Sequence, residues 1–282
     1  VLLSDSTISI FNPGIGIVSI KGDDIQPDIY FGYHIATGDF NGDGYTDLAV
    51  SAEDYDVTLG SDSDEGAVFI YLGGPNGLTT DSIPSVTIIG RSKDDYLSGP
   101  GLVNLGDLNG DGFDDLGFGD YNGFSYIFWG QATLNTTYNL AEENPPVNVT
   151  VLEDSYFGFD LMYNATAIGD INGDGYDDMA FKNSAYDSVA DKAIYQIIVM
   201  YGQQSWDGLY DSDAANELNF LKIDVPEDYF YATEILPLGD MDGDGKDEFG
   251  ITITSNYAAS NNDAILVWNG SEFGNLNDFS IQ

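Results

Sequence analysis

One phrase, GDFNGDGYTDLAV in its first copy, occurs four times with small changes in this chain of 282 residues. The copies begin at Gly38, Gly106, Gly169 and Gly239. Their first aspartates are 68, 63 and 70 residues apart (39 to 107, 107 to 170 and 170 to 240). A period of this length indicates one supersecondary unit of several elements per copy, stacked on its neighbours. The chain is therefore expected to fold as a series of similar units.

The residues around each phrase predict short strands. In the first repeat the four candidate strands start at Tyr30, Leu48, Ala67 and Ser85. Alternation, β-branched and aromatic content, and Gly, Asn and Asp between the segments favour strands, and no long stretch has a helical period. Four strands per unit with radial repetition predict an all-β fold. We expect a β-propeller of four-stranded blades, in which the phrase connects the first strand of a blade to the second.

The two ends of the chain do not match a whole number of units. We expect residues 1–30 to form a half-blade of two outer strands, TISIF and IVSIK, because they resemble the last two strands of a repeat. Complete blades are predicted at residues 31–96, 97–156, 157–229 and 230–282, all in one propeller domain or part of one. An isolated hairpin is marginal in water, so the half-blade needs a partner edge. An earlier part of the polypeptide, the last repeat or a neighbouring subunit could supply that edge; we expect a segment of a longer repeat protein, with self-assembly through the half-blade as an alternative.

Each phrase contains a loop of the pattern D-x-[ND]-x-D-G-x-x-[DE], at residues 39–47 (loop 1), 107–115 (loop 2), 170–178 (loop 3) and 240–248 (loop 4). Oxygen side chains at positions 1, 3, 5 and 9 of a curled loop point inward, which suits Ca²⁺ with its six to eight oxygen ligands. Position 7 is free to contribute its backbone carbonyl, and position 6 is always Gly, where the chain must turn sharply. The sequence therefore predicts four Ca²⁺ sites. Their ligands are Asp39, Asn41, Asp43, Tyr45 and Asp47; Asp107, Asn109, Asp111, Phe113 and Asp115; Asp170, Asn172, Asp174, Tyr176 and Asp178; and Asp240, Asp242, Asp244, Lys246 and Glu248.

Other interpretations of the loops fit less well. An EF-hand needs a bidentate Glu at position 12, and that position is apolar in all four copies. Zinc lacks the His and Cys ligands that it prefers, and Mg²⁺ tends to keep its waters. Without a metal, Asp, Asn and Gly would simply form turns between strands. In each of the four copies, the clustered carboxylates would repel one another without a cation. We therefore predict that the loops bind calcium.

The charge of the chain excludes several classes of partner. Seven Lys and Arg against 48 Asp and Glu give a formal charge of −41, whereas phosphate binding needs a basic footprint. We therefore expect neither nucleic acid nor an anionic membrane as a partner. The chain has no Cys, which excludes disulfides and thiolate sites, and no apolar run reaches the length of a membrane helix. Four glycosylation sequons favour a secreted or cell-surface glycoprotein, and they start at Asn135, Asn148, Asn164 and Asn269.

The repeats resemble FG-GAP repeats, as found in the β-propeller of integrin α-subunits and related surface proteins. The resemblance rests on Phe31-Gly32 and Phe157-Gly158 ahead of the loops, on the four loops, and on the strands that follow them; it covers residues 30 to 282. The departures are Leu97-Ser98-Gly99 and Phe230-Tyr231-Ala232 in place of Phe-Gly. The resemblance implies a Ca²⁺-stabilised propeller that binds other proteins or glycans through loops on one face.

No catalytic constellation is visible in the sequence. His34 is the only His, and the sequence offers it neither a Cys nor a constellation of Ser and acidic residues. It therefore cannot anchor a triad or a zinc site, and we expect it to be a packed strand residue. We expect a non-enzymatic scaffold for adhesion, protein interaction or assembly, outside the cell or on its surface. Two alternatives are a glycan-binding module, for which Trp206 is the best candidate for an exposed contact, and the non-catalytic propeller of a larger secreted enzyme. The acidic segment 54–65 is expected to be a solvated loop or else a further cation or basic-partner site.

Overall fold

The computed structural model describes most of the chain. The described residues are 2–4, 7–12, 16–78, 83–141, 146–153, 162, 165–187, 192–206, 220–224, 229–255 and 264–268. In this part of the chain the regular elements are strands, together with one short 3₁₀ helix at Gly22–Asp24. The prediction of an all-β fold is confirmed. None of the described residues belongs to a helix that is long and apolar enough to cross a bilayer.

The strands form five separate sheets. The first contains β1 (Leu2–Ser4), β2 (Thr7–Asn12) and β3 (Gly16–Lys21). The sheet of the first repeat contains β4 (Ile35–Gly38), β5 (Asp47–Ala52), β6 (Ala67–Tyr71) and β7 (Val86–Ile89), and that of the second contains β8 (Leu102–Gly106), β9 (Asp115–Gly119), β10 (Phe124–Phe128) and β12 (Val149–Glu153). The third contains β13 (Thr166–Gly169), β14 (Asp178–Asp187), β15 (Lys192–Met200) and β16 (Phe220–Asp224), and the fourth contains β17 (Tyr229–Gly239), β18 (Glu248–Ser255) and β19 (Ala264–Trp268).

Within each repeat, the successive strands of the repeat's own sheet pair antiparallel, and the repeated phrase connects the first of these strands to the second. In the first repeat, for example, Thr37 pairs with Leu48 across loop 1. The several four-stranded antiparallel sheets are consistent with propeller blades. Phe157-Gly158 and the last residues of the predicted fourth blade, 269–282, lie outside the described residues.

Three local features differ from the sequence prediction. The segment from Tyr30 to His34 is a turn and not a strand, with φ of 47° at Tyr30 and 85° at Gly32. The first repeat gains a fifth strand, β11 (Thr137–Asn139), which pairs parallel to β7 although it comes from the sequence of the second repeat. The predicted N-terminal hairpin forms from β2 and β3, but β1 extends it to three strands.

The hydrophobic core lies between consecutive sheets. The first strands of successive repeats contact one another in the order β4, β8, β13 and β17. One apolar cluster fills each gap between neighbouring repeats, and a further cluster packs Ile20, Ile29 and Phe31 against the first repeat. All six residues of β5 are buried, so this strand is covered on both faces. Each sheet therefore depends on its neighbours for the burial of its apolar side chains.

Candidate metal-binding loops

All four loops have the same curled backbone. In loop 1 the Asp39 carboxylate accepts the backbone N–H of Asp43 at 3.1 Å and that of Gly44 at 2.8 Å. The Asn41 side-chain oxygen accepts the Asp43 N–H as well, at 3.0 Å. Gly44 has a φ of 83°, which a residue with a Cβ rarely adopts. The corresponding bonds to the first-position aspartate recur in the other three loops. The backbone thus holds the carboxylate of position 1 in a fixed place.

The side chains at positions 1, 3 and 5 converge in each loop. In loop 4, Asp240, Asp242 and Asp244 are exposed, and each places one carboxylate oxygen within 4.8 Å of the others. In loops 1 to 3 position 3 is Asn, and its amide donates to the carboxylate of position 5 at 3.0 to 3.1 Å. In loop 4 the three carboxylate oxygens are close enough to share one cation.

The carboxylate at position 9 is buried beneath each loop. Asp47 accepts the Phe40 N–H at 3.1 Å through Oδ2 and the Gly73 N–H at 2.7 Å through Oδ1. Asp115 and Asp178 make the equivalent pair of bonds. Position 9 therefore connects the start of its loop to the end of the third strand. The sequence predicted it only as a metal ligand and missed this structural role.

Burial makes these position-9 carboxylates costly to ionise. Desolvation raises the pKa of Asp47 to about 6, that of Asp115 to about 8 and that of Asp178 to about 7. Negative charge on the aspartates at positions 5 and 1 raises the pKa of each further, while the backbone N–H donors oppose the shift. A cation bound in the loop would offset both the burial and the like charges.

Among the described residues, loop 4 is the one whose buried position-9 carboxylate has an oxygen without a hydrogen-bond partner. Glu248 accepts the Met241 N–H at 2.6 Å through Oε2, but its Oε1 is buried and has no hydrogen-bond partner among the described residues. An unpaired buried carboxylate oxygen is unfavourable unless a cation neutralises it. This oxygen and the three converging carboxylates of the loop fit the hard oxygen donors that Ca²⁺ prefers.

The side chain at position 7 packs away from its own loop. A Cβ built on Gly42, at position 4 of loop 1, would meet the ring of Phe113 from loop 2. Gly110 has the same relation to Tyr176, and Gly173 to the aliphatic part of Lys246. The side chain at position 7 of loops 2, 3 and 4 thus lies against the preceding loop, and the role of its backbone carbonyl as a ligand stays a prediction.

The structure also locates three features singled out in the sequence: Trp206, His34 and the acidic segment 54–65. The prediction of an exposed Trp206 is wrong: its side chain is only 8% exposed and lies against Trp129, with ring centroids 5.8 Å apart. His34 is half-buried just before β4, where its Nε2 lies 3.1 Å from the Gly99 carbonyl oxygen, and burial lowers its pKa. Asp56, in the acidic segment, is buried and accepts the backbone N–H groups of residues 63 and 64, so this part of the segment is an ordered turn.

The sequons also differ from one another. Asn135 is exposed, as expected of a glycosylated residue. Asn148, in contrast, is only 9% exposed, which does not fit a glycosylated residue. Asn164 and Asn269 lie outside the described residues.

Comparison with known proteins agrees with the repeat architecture. Residues 31–71 match the family model described as FG-GAP repeat. The chain is 30% identical over 161 residues to integrin alpha-4 of Xenopus laevis, and the match covers 54% of this chain and 14% of that protein. It is 34% identical over 165 residues to integrin alpha-V of Gallus gallus, covering 55% and 15%. It is also 33% identical over 145 residues to the phosphatidylinositol-glycan-specific phospholipase D of Rattus norvegicus, covering 48% and 17%.

These matches define a protein that contains an FG-GAP repeat and is similar to integrin α-subunits. The match lies in a short part of each relative, between 14% and 17% of the length of the three proteins named. The predicted resemblance to FG-GAP repeats is confirmed for residues 31–71.

Proposed function

We propose that the chain is a calcium-binding β-propeller, or part of one, with one Ca²⁺ in each of its four loops. In each site the side-chain oxygens of positions 1, 3, 5 and 9 and the carbonyl of position 7 hold the ion. Bound calcium supplies positive charge and coordination bonds between the loop and the strand that follows. The observation that best supports the proposal is the buried position-9 carboxylate beneath a cluster of like-charged aspartates. The Oε1 of Glu248, which has no hydrogen-bond partner within the described part of the chain, adds to that support.

The propeller architecture is proposed from the way in which the sheets pack. Consecutive sheets bury an apolar cluster between them, and their first strands lie side by side in chain order. Radial repetition of four-stranded sheets around a common axis has both properties. In this arrangement the four loops lie at equivalent positions of successive blades.

We propose a non-catalytic role in adhesion or protein interaction outside the cell or on its surface. The similarity to integrin alpha-4 and integrin alpha-V supports this role. Propeller-face loops would contact the protein ligand. The glycan-binding alternative loses its leading residue, because Trp206 is buried.

Thermal unfolding tests the calcium part of the proposal. The 282-residue chain is melted in Ca²⁺, in Mg²⁺ and in EDTA, together with the variants Asp111→Ala in loop 2 and Glu234→Ala as an exposed control. A ligand that binds only the folded state stabilises it by about 2.7 kcal/mol at a hundredfold excess over Kd. We expect Ca²⁺ to raise the Tm clearly above the EDTA value, Asp111→Ala to reduce that rise, and Glu234→Ala to leave it unchanged. Identical melts in Ca²⁺ and EDTA would contradict calcium binding.

The adhesion part needs its own experiment. The labelled chain is tested for saturable binding to a panel of purified extracellular matrix proteins, in Ca²⁺ and in EDTA. We expect binding to at least one protein of the panel, lost in EDTA. Hydrolysis of a glycoside or phosphoester that a single substitution abolishes would contradict the non-catalytic role.

A second candidate is the non-catalytic propeller of a larger secreted enzyme. The similarity to the rat phosphatidylinositol-glycan-specific phospholipase D favours it. The complete open reading frame distinguishes the two candidates: a catalytic domain encoded together with these residues supports the second, and its absence from the full reading frame removes it.

A further inference from the structure

Three of the four loops carry an aspartate at position 8 that the calcium site of its own loop does not need. These residues are Asp114, Asp177 and Asp247. Each carboxylate points away from its own loop and contacts the preceding loop. Asp114 Oδ2 accepts the backbone N–H of Asp39, position 1 of loop 1, at 2.8 Å.

The same contact recurs at the next two junctions. Asp177 Oδ2 accepts the N–H of Asp107 at 2.8 Å, and Asp247 Oδ2 accepts the N–H of Asp170 at 3.1 Å. At each junction a second bond runs the other way, from the position-8 N–H to the position-1 carbonyl oxygen. Its lengths are 3.2 Å at the first junction, 3.0 Å at the second and 2.9 Å at the third. We call this pair of hydrogen bonds, between position 8 of one loop and position 1 of the preceding loop, the clasp.

At three of the four phrases the clasp occupies the space that the initial Gly leaves free. A Cβ built on Gly38 would lie 2.8 Å from Asp114 Oδ2, and one built on Gly106 or Gly169 would collide with the carboxylate that enters from the next loop. Among the described residues, Gly239 has no neighbouring atom within 4 Å of its built Cβ. The space left by Gly is therefore used at the three junctions where a clasp forms.

Loop 1 shows that position 8 is dispensable for the loop that contains it. Its position 8 is Thr46, which is exposed. Loop 1 nevertheless makes the same hydrogen bonds to its position-1 carboxylate as the loops that have Asp at position 8. The aspartate at position 8 thus acts across the junction and not within its own loop.

We propose that Asp114, Asp177 and Asp247 are positioning residues for the calcium site of the preceding loop. This inference rests on the proposed calcium binding of the loops. Two hydrogen bonds fix the backbone of the position-1 aspartate on both sides, so its carboxylate is in place before the ion binds. Without the clasp, calcium binding must also order this backbone, which lowers the affinity. Residues that hold a metal ligand in place without contacting the metal typically contribute 10- to 100-fold to metal affinity.

The experiment compares Asp114→Ala in three versions of the 282-residue chain. They are the unmodified chain, a chain with loop 1 disabled by Asp43→Ala, and a chain with loop 2 disabled by Asp111→Ala. Calcium binding is measured by isothermal titration and by native mass spectrometry. We expect Asp114→Ala to weaken one site on the order of tenfold in the unmodified chain and in the chain without loop 2. In the chain without loop 1 it should change no remaining site.

Two further variants keep the test independent of folding. Asp114→Asn retains an oxygen acceptor for the Asp39 N–H and should restore most of the affinity. Thr46→Asp should leave all four affinities unchanged. The inference is wrong if Asp114→Ala weakens a site in the chain without loop 1, or if it lowers the Tm while all affinities stay the same. Absence of calcium binding by the unmodified chain would instead remove the proposed function itself.

Discussion

The third and fourth repeats carry equivalent apolar faces that differ in their burial. Ile171 and Met241 both occupy position 2 of their loops, yet Ile171 is 0% exposed and Met241 is 68% exposed. Val199 and Val267 occupy equivalent places in the third strand, and they are 0% and 52% exposed. The face of the third repeat is covered by the fourth sheet. The comparison shows that burial of this face comes from the following sheet and not from the repeat itself.

The hydrogen bonds at position 1 of loops 3 and 4 differ in the same way. In the third repeat, Asp247 closes a clasp on Asp170 beside Gly169. In the fourth repeat, Gly239 precedes Asp240 with a similar positive φ, but no atom of the described residues lies within 4 Å of its built Cβ. Within the described part of the chain, the same sequence phrase thus forms a clasp at Asp170 and none at Asp240. Matched substitutions in the two repeats can measure what a junction contributes.

The largest difference is expected for Ile171→Ala against Met241→Ala. Removal of a buried Ile side chain costs about 2 to 5 kcal/mol, because it leaves a cavity in a packed core. Truncation of an exposed side chain stays within about 0.5 kcal/mol. Urea unfolding in Ca²⁺ measures both. Equal losses would show that the two faces are buried alike, contrary to the structure.

An intermediate difference is expected for Gly169→Ala against Gly239→Ala. Both glycines have a positive φ, 76° and 68°, so each substitution costs about 1 to 2 kcal/mol for backbone strain. At Gly169 the new Cβ also collides with Asp247 Oδ2, and such overpacking adds about 1 to 3 kcal/mol. The free energy of unfolding of the two variants should therefore differ by that second amount. If Gly239→Ala is as costly as Gly169→Ala, the clasp does not fill the space at Gly169.

The smallest effect is expected for Thr46→Asp, which gives loop 1 the position-8 residue of the other loops. Thr46 is exposed, so the free energy of unfolding should change by less than about 0.5 kcal/mol. Asp114→Ala, measured alongside, should cost more because it leaves the Asp39 N–H without its acceptor. A large effect of Thr46→Asp would mean that position 8 acts within its own loop.

The features that the sequence predicted are local in the chain. The strands of the repeats and the connection of the first strand to the second follow from alternation and from the spacing of Asp, Asn and Gly within a few residues. The clasps join residues 70 to 77 apart, and no local pattern marks position 8 as the partner of an earlier loop. Strand β11 has only three residues, too few to show alternation. Trp206 was misjudged because its place outside the repeat register says nothing about its burial against Trp129.

The burial of position 9 could not be predicted either. The sequence shows an acidic residue at the end of each loop, but not the two backbone N–H groups that meet Asp47 from residues 40 and 73. One of these donors lies 26 residues further along the chain. The same carboxylate therefore serves the fold and, in the proposed function, the metal.

The number of calcium ions bound per chain is the most direct test of the proposal that each of the four loops holds one Ca²⁺. Native mass spectrometry of the 282-residue chain, exchanged into a volatile buffer with micromolar Ca²⁺, counts the bound ions. We expect four Ca²⁺ on the unmodified chain, three on Asp111→Ala and none after EDTA. A folded chain with no bound calcium, or one whose calcium count does not change in Asp111→Ala, would contradict the proposal.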